Sequence, residues 1–141
     1  MNQIEIFYLS ERKARVKKDF KVLIPVVLRN GGSYWLHITI PKDFEFDGGT
    51  IPRIFWTISG LTPWGYYTSE YALHDKLYVD KGIVGDKTLS RKIIDKILRK
   101  QMKEKGASWF KYSITYLFCR AFGWYLFYDI DKMIYGFIKK K

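Results

Sequence analysis

Runs of β-prone apolar residues, separated by charged or glycine-rich segments, predict strands over the first 45 positions of the chain. Residues 20–29 and 33–40 are rich in β-branched and aromatic side chains, and they flank Asn30-Gly31-Gly32, a turn signal. From Leu36 to Ile40 every second residue is apolar, which is the period of a strand with two distinct faces. We therefore predict a β-hairpin, and Pro25 predicts that its strand lies at an edge or carries a bulge.

The flanking segments have other patterns. Residues 3–9 predict a short strand, whereas residues 10–19 hold five basic side chains and predict a charged turn region. Residues 81–87, with two glycines, predict a loop. After Pro41 we predict a turn at Asp47-Gly48-Gly49-Thr50, which Thr50 extends into a short helix with Pro52 in its first turn.

Three longer helices are predicted in the second half of the chain. They run from Thr68 to about Tyr78, from Thr88 or Ser90 to Gly106, and from Ser108 toward the C-terminus, with a break near Gly123 or Asp129. The fold class that follows is α+β, in which a small N-terminal antiparallel β-hairpin or sheet precedes three to four helices. One domain over residues 1–141 is expected.

The last helix is apolar enough to require a membrane test. Only 17 residues separate Lys111 from Asp129, and Arg120 interrupts them, so we predict no transmembrane span. A core helix is expected. The alternative is an interfacial helix that presents Trp109, Phe110, Trp124 and Tyr125 at its surface.

Composition adds a charge argument. The net charge is +11 and 18% of the residues are aromatic, a balance that favours anionic partners such as an acidic lipid surface or a phosphate backbone. The basic stretches contain few aromatic residues, so nucleic-acid binding is the less favoured of these two alternatives. Cys119, the single cysteine, excludes an internal disulfide framework and a cysteine-based zinc site, and we expect a buried thiol.

The candidate chemistry lies on the predicted helix that starts at Thr68. A spacing of 100° per residue places Tyr71, His74 and Tyr78 on one stripe, with Asp75 beside it. Histidine suits acid–base chemistry near neutral pH, and an adjacent carboxylate holds a cation or tunes the ring. The structural alternative is a buried histidine that a tyrosine satisfies inside an aromatic core.

A hard cation is a second element of this hypothesis. Asp47, Asp75 and the backbone carbonyls of Gly48 and Gly49 provide the oxygen ligands that Ca²⁺ or another divalent cation prefers. The second histidine, His37, lies on the predicted hairpin and is expected at the surface.

Four ordered motifs resemble a domain-of-unknown-function family (number thirteen-fifty-three) common in tailed phages and prophages. They are Phe46-Asp47-Gly48-Gly49-Thr50-Ile51-Pro52-Arg53, His74-Asp75-x-Leu77-Tyr78, Ser90-Arg91-x-x-x-Asp95 and Arg120-x-Phe122-Gly123. The similarity covers about residues 38–126, with residues 1–37 as a β extension and 127–141 as a basic tail. It implies a phage-associated origin and a shared His/Asp site, but no established activity. A virion or bacterial host cytoplasm location follows, since no signal peptide is recognised.

The helix motif is also similar to that of phospholipases A2, which carry His-Asp-x-x-Tyr. In those enzymes the histidine activates a water, the aspartate binds Ca²⁺ with a Gly-rich loop, and an aspartate on a second helix orients the histidine. This resemblance assigns the last role to Asp95. However, Asp95 lies about 130° from the centre of the apolar stripe of its helix, so we expect it on a solvated face, paired with Arg91 or Arg99.

Three functions are left open by these observations. The first is a divalent-cation-assisted hydrolase with an ester or phospholipid-like substrate, in which His74 is the general base and Arg53 faces an anionic group. The second is a non-enzymatic virion or host-takeover component, in which Asp47, Arg53 and His74 only lock a loop onto a helix. The third is a basic nucleic-acid-binding accessory protein. A hydrolase predicts a pocket at His74, whereas the non-enzymatic component predicts a sealed histidine.

Overall fold

The computed structural model describes residues 4–9, 13–47 and 67–127; for Asp47 and residues 122–127 it describes the backbone alone. Seven strands and three helices lie in these segments. In chain order they are β1 (Ile6–Tyr8), β2 (Lys13–Val16), β3 (Phe20–Val27), β4 (Ser33–Ile40), β5 (Glu45–Asp47), α1 (Thr68–Val79), β6 (Ile83–Val84), β7 (Lys87–Thr88), α2 (Arg91–Glu104) and α3 (Trp109–Phe127). This is the predicted α+β class.

The predicted hairpin is confirmed as the pair β3–β4. Eight consecutive residue pairs run without a bulge from Phe20 opposite Ile40 to Val27 opposite Ser33. Among the described strands β3 pairs with β4 alone, so Pro25 lies on an edge strand, one of its two predicted positions. Because the amide of Leu28 donates to the carbonyl of Gly32, alternation along the ladder turns position 25 away from β4. Proline therefore costs no hairpin hydrogen bond.

The expectation of a charged turn over residues 10–19 was wrong in part. Lys13–Val16 is the central strand of a three-stranded antiparallel sheet, with β1 on one side and β5 on the other. Ala14 and Val16 are fully buried, whereas Lys13 and Arg15 are exposed. The alternation of two small apolar residues with Lys13 and Arg15 was the strand signal, and the density of positive charge concealed it.

The helix boundaries follow from local hydrogen bonds. Ser90 is the N-cap of α2, and its side chain accepts from the amide of Ile93. The helix ends at Glu104, and Gly106, the predicted stop, follows the C-cap Lys105 with a φ of 89° in the left-handed region. The amides of Gly106 and Ala107 donate to the carbonyls of Lys103 and Met102, the pattern of a Schellman motif.

Two apolar clusters hold the described elements together. The larger joins the inward faces of both N-terminal sheets to α1 and to the first turns of α2; its fully buried members include Ile40, Leu73, Leu77 and Ile94. The smaller lies between α1, α2 and α3 and contains Tyr71, Leu98, Met102 and Cys119. Consequently α2 is packed on two sides, by α1 and by α3.

Three further expectations have outcomes here. The segment 81–87 is not a plain loop, because it contains the small hairpin β6–β7. Helix α3 continues through Gly123 to Phe127, so no break occurs at Gly123. Within residues 4–9, 13–47 and 67–127, no helix combines the length and hydropathy that a bilayer crossing requires. The predicted turn after Asp47, the helix near Pro52 and the basic tail from residue 128 lie outside the described residues.

Candidate functional site

The carboxylate of Asp95 is the centre of a buried polar network between the three helices. Asp95 lies on α2 and is 1% exposed. The expectation that it lies on a solvated face was therefore wrong. Asp95 lies away from the apolar stripe of α2 that faces the sheet core. However, α3 covers a second face of α2, and Asp95 points into that contact.

One oxygen of Asp95 contacts two side chains of α1. Nε2 of His74 lies 2.8 Å from Oδ1 of Asp95, and the hydroxyl of Tyr78 donates to the same oxygen at 2.5 Å. His74 and Tyr78 are one helical turn apart, and their ring centroids are 4.2 Å apart. The stripe predicted for α1 is thus the face that meets α2.

The other oxygen of Asp95 contacts two arginines. Nη1 of Arg120, from α3, donates to Oδ2 at 3.0 Å, and Nη1 of Arg91 lies 3.5 Å from it. Arg91 also donates to the backbone carbonyls of Cys119 and Arg120, at 2.7 and 3.2 Å. The predicted pairing of Asp95 with Arg91 is therefore present, and it is part of a link from α2 to the backbone of α3.

The second ring nitrogen of His74 faces a different carboxylate. Nδ1 lies 3.9 Å from Oδ1 of Asp75, whose side chain is 20% exposed. The sulfur of Cys119 completes this cluster, since one donor atom each from His74, Asp95 and Cys119 lie within 4.8 Å of one another. Cys119 is buried, as expected.

The network favours charge separation between His74 and Asp95. Burial opposes a positive charge on His74, but the neighbouring Cys119, Asp75 and Asp95 outweigh burial and raise the pKa of His74 well above its ordinary value. Burial also opposes the negative charge of Asp95. Hydrogen bonds from His74, Tyr78 and Arg120 outweigh that effect and lower the pKa of Asp95. Burial and the Asp95 charge raise the pKa of Tyr78, which keeps its hydroxyl a donor.

The structure brings four of the predicted site residues together and leaves the others outside its description. His74, Asp75, Tyr78 and Asp95 form one cluster. Asp47 ends β5, but its side chain lies outside the described part, as do Gly48, Gly49 and Arg53. His37 is exposed, as expected. His74 itself is 4% exposed, the burial that a non-enzymatic component predicts.

Sequence reasoning did not assign a site role to three members of the network, namely Arg91, Cys119 and Arg120. The arginines stood in two of the four quoted motifs, four residues before Asp95 and two before Phe122. Their presence in these motifs was the sequence signal for a role in the site. For Cys119 the only such signal was its position next to Arg120.

Two donor sets bear on metal binding. The set His74, Asp95 and Cys119 fits a cation poorly, because both oxygens of Asp95 already accept hydrogen bonds and two guanidinium groups are adjacent. The carboxylate of Asp75 is 20% exposed beside His74, and carboxylate oxygens are donors that a hard cation takes.

The comparisons with known proteins give a family but no activity. No curated protein matches the chain, and no solved structure matches it either. A family model described as "Protein of unknown function (DUF1353)" matches residues 20–118, from the first residue of β3 into α3. Because this match spans more than half of the chain, the protein belongs to the DUF1353 family of proteins of unknown function.

Proposed function

We propose that this protein is a divalent-cation-assisted hydrolase of phage or prophage origin that acts on an ester or phospholipid-like substrate. The observation that carries the proposal is the 2.8 Å contact between Nε2 of His74 and Oδ1 of Asp95. It orients the ring through one nitrogen, and Nδ1, which faces Asp75, is the proposed acceptor of a proton from water, as in an oriented general base.

The position of Asp95 on α2 supports the role of His74 as a general base. The resemblance to phospholipases A2 requires an aspartate from another helix on the histidine, and Asp95 occupies that place. Tyr78 donates to the same carboxylate, so the orienting group is itself held in position. Asp95 is a positioning residue here, because it acts through His74.

Asp75 would be the carboxylate ligand of the cation, with Asp47, Gly48 and Gly49 as the other proposed ligands. A bound Ca²⁺ would polarise the substrate carbonyl and stabilise the negative charge that develops on its oxygen. Arg53 is the proposed contact for an anionic group of the substrate. Asp75 faces Nδ1 of His74 and Asp95 faces Nε2. The proposed cation ligand and the carboxylate that positions the base are therefore two different residues.

The raised pKa of His74 has a consequence for activity. A general base must be unprotonated, and the raised pKa extends the protonated form of His74 to higher pH. The rate of hydrolysis is therefore expected to rise with pH above neutrality.

The burial of His74 favours a second function, that of a non-enzymatic virion or host-takeover component. In that case the network locks α1, α2 and α3 together through His74, Asp95 and Arg120, and binding occurs elsewhere on the surface. The 4% exposure of His74 and the two arginines on Asp95 support this alternative.

The test combines hydrolysis with cation binding. The full chain, His74→Gln, Asp75→Asn and the control Asp80→Asn would be assayed on p-nitrophenyl esters and phosphatidylglycerol vesicles, with Ca²⁺ or a chelator. Asp80 is a suitable control because its carboxylate lies at the C-terminal end of α1 and pairs with Lys76 rather than with His74. We expect His74→Gln to lower the rate by about 10²-fold or more and Asp75→Asn to remove the response to Ca²⁺.

Calorimetric titration of Ca²⁺ and Mg²⁺ into the wild type and Asp75→Asn completes the experiment. Hydrolysis is supported if the wild type binds a cation and Asp75→Asn does not. Folded wild-type protein that neither binds a cation nor turns over any ester would overturn the hydrolase proposal and leave the structural lock.

A further inference from the structure

Helices α2 and α3 expose a surface on which basic and aromatic side chains adjoin. A shallow cavity of about 440 Å³ marks its centre. We call this the basic–aromatic surface, and it is lined by Lys96, Arg99, Lys100 and Lys103 of α2 and by Trp109, Tyr112 and Ser113 of α3. It contains none of the His/Asp network.

The charge of this surface is one-sided. Four cations and no acidic residue are among the described residues that line it. Within the described part of the chain only Lys100 has a carboxylate within salt-bridge distance, Glu104 at 4.0 Å, and both side chains are more than 60% exposed, so the pair neutralises little. The surface therefore carries a net positive charge and complements an anionic partner.

Aromatic rings hold two of the cations in place. The guanidinium of Arg99 lies 4.2 Å from the ring centroid of Tyr116, and Nζ of Lys103 lies 5.9 Å from that of Tyr112. These contacts orient Arg99 and Lys103 toward α3, which lowers the entropy that the two side chains lose on binding.

Large apolar side chains are also exposed on α3. Trp109, Phe110 and Leu117 are 72%, 46% and 63% exposed. Phe110 and Leu117 are seven residues apart and so lie on one face of the helix. Exposed apolar side chains beside a row of cations are the pattern of a helix that lies in a membrane interface, where tryptophan is favoured.

We propose that the basic–aromatic surface binds the anionic face of a lipid bilayer, with α3 lying along it and Trp109, Phe110 and Leu117 entering the headgroup region. Basic side chains near an anionic membrane each strengthen binding, and exposed apolar residues add to it. Nucleic acid would engage the cations but would leave Phe110 and Leu117 in water, so the observations favour lipid. The proposal does not depend on hydrolysis at His74.

Vesicle sedimentation with the full chain tests it. The probes are vesicles of phosphatidylcholine alone and of phosphatidylcholine mixed with phosphatidylglycerol. We expect binding to the mixed vesicles only, weakened about tenfold or more in Lys96→Glu/Arg99→Glu. The matched control is Lys42→Glu/Lys87→Glu, which changes the net charge equally at exposed positions away from α2 and α3 and should weaken binding far less. Trp109→Ala should also weaken binding, with the cations intact.

Any of four results would overturn the proposal. Three concern vesicles: no binding of the wild type to anionic vesicles, equal binding by the two charge-reversed pairs, or displacement of the protein from vesicles by soluble glycerophosphate. The fourth is tighter binding of duplex DNA that Lys96→Glu/Arg99→Glu abolishes while Trp109→Ala does not. Sedimentation of His74→Gln separates this question from hydrolysis, because its vesicle binding should equal that of the wild type.

Discussion

Nε2 of His74 lies 2.8 Å from Oδ1 of Asp95, although 21 residues separate them in sequence and they lie on different helices. The contact is buried, and it is the point at which three motifs of the family resemblance meet: His74 and Tyr78 from α1, Arg91 and Asp95 from α2, and Arg120 from α3. Residues that were quoted as separate signatures therefore form one structural unit.

Removing the carboxylate charge of Asp95 should destabilise the protein strongly. In Asp95→Asn the buried His74 and the partly exposed Arg120 lose their anionic partner, and breaking a buried pair such as His74–Asp95 costs about 3–5 kcal/mol. Urea unfolding followed by circular dichroism measures the change in free energy of unfolding. Lys100→Gln, which removes a partner of the exposed Glu104, is the control and should change it by less than about 1 kcal/mol. Similar effects of the two variants would contradict the network.

Stability should depend on pH with two opposite slopes. The pKa of Asp95 is lowered in the folded state, so its contribution is present above its unfolded value of 3.8 and is lost as the pH falls through the folded pKa. The pKa of His74 is raised, so its contribution is fully present below 6.5 and is lost as the pH rises through the folded pKa.

The destabilisation by His74→Gln should therefore be largest between about pH 4 and 6.5 and should decrease toward alkaline pH. Urea unfolding of the wild type and this variant at a series of pH values checks the sign. A destabilisation that grows as the pH rises would contradict a charged His74 in the folded protein.

The several donors of the Arg91 guanidinium should contribute to stability in addition to its charge. Its guanidinium donates to two carbonyls of α3 and lies beside Asp95, a geometry that a lysine ammonium does not reproduce. We expect Arg91→Lys to lower the free energy of unfolding by about 1–3 kcal/mol, because buried acceptors lose their donors. The exposed neighbour Lys92 gives the matched control Lys92→Arg, and an equal loss there would count against the α2–α3 link.

Gly82 is required where α1 turns into β6. Its φ is 78°, and a Cβ at this position would lie 2.0 Å from the backbone carbonyl oxygen of Leu89. Gly82→Ala should therefore destabilise the protein by several kcal/mol or prevent folding, because the backbone at residue 82 would have to move away from that of Leu89. Gly85→Ala is the comparison, because Gly85 also has a positive φ but has open space around it, and about 1 kcal/mol is expected. Thermal unfolding of both variants measures the difference.

Local patterns predicted much of this fold and part of the site. The turn at Asn30-Gly31-Gly32 and the cap at Ser90 are encoded within a few residues, so the hairpin and α2 were recognisable. The His-Asp-x-x-Tyr spacing likewise placed His74 and Tyr78 on one face. Such signals need no knowledge of tertiary contacts.

Tertiary contacts decided what those patterns missed. Asp95 appeared solvated because a helical projection shows one apolar stripe, whereas α2 packs against α1 and the sheets on one side and α3 on another. Lys13–Val16 appeared to be a turn because its strand character depends on partners 30 and more residues away, in β5. Arg120 and Cys119 entered the site only through the packing of α3 on α2.

The central claim is that His74 and Asp95 form a buried ion pair. The protonation state of His74 tests this claim most directly. Two-dimensional ¹⁵N–¹H spectra of the imidazole, recorded across a pH series for the wild type and Asp95→Asn, would follow both ring nitrogens. The account predicts an imidazolium that persists well above pH 6.5 in the wild type, and a clearly lower pKa of His74 in Asp95→Asn. A wild-type His74 that titrates near 6.5, unchanged by Asp95→Asn, would contradict it.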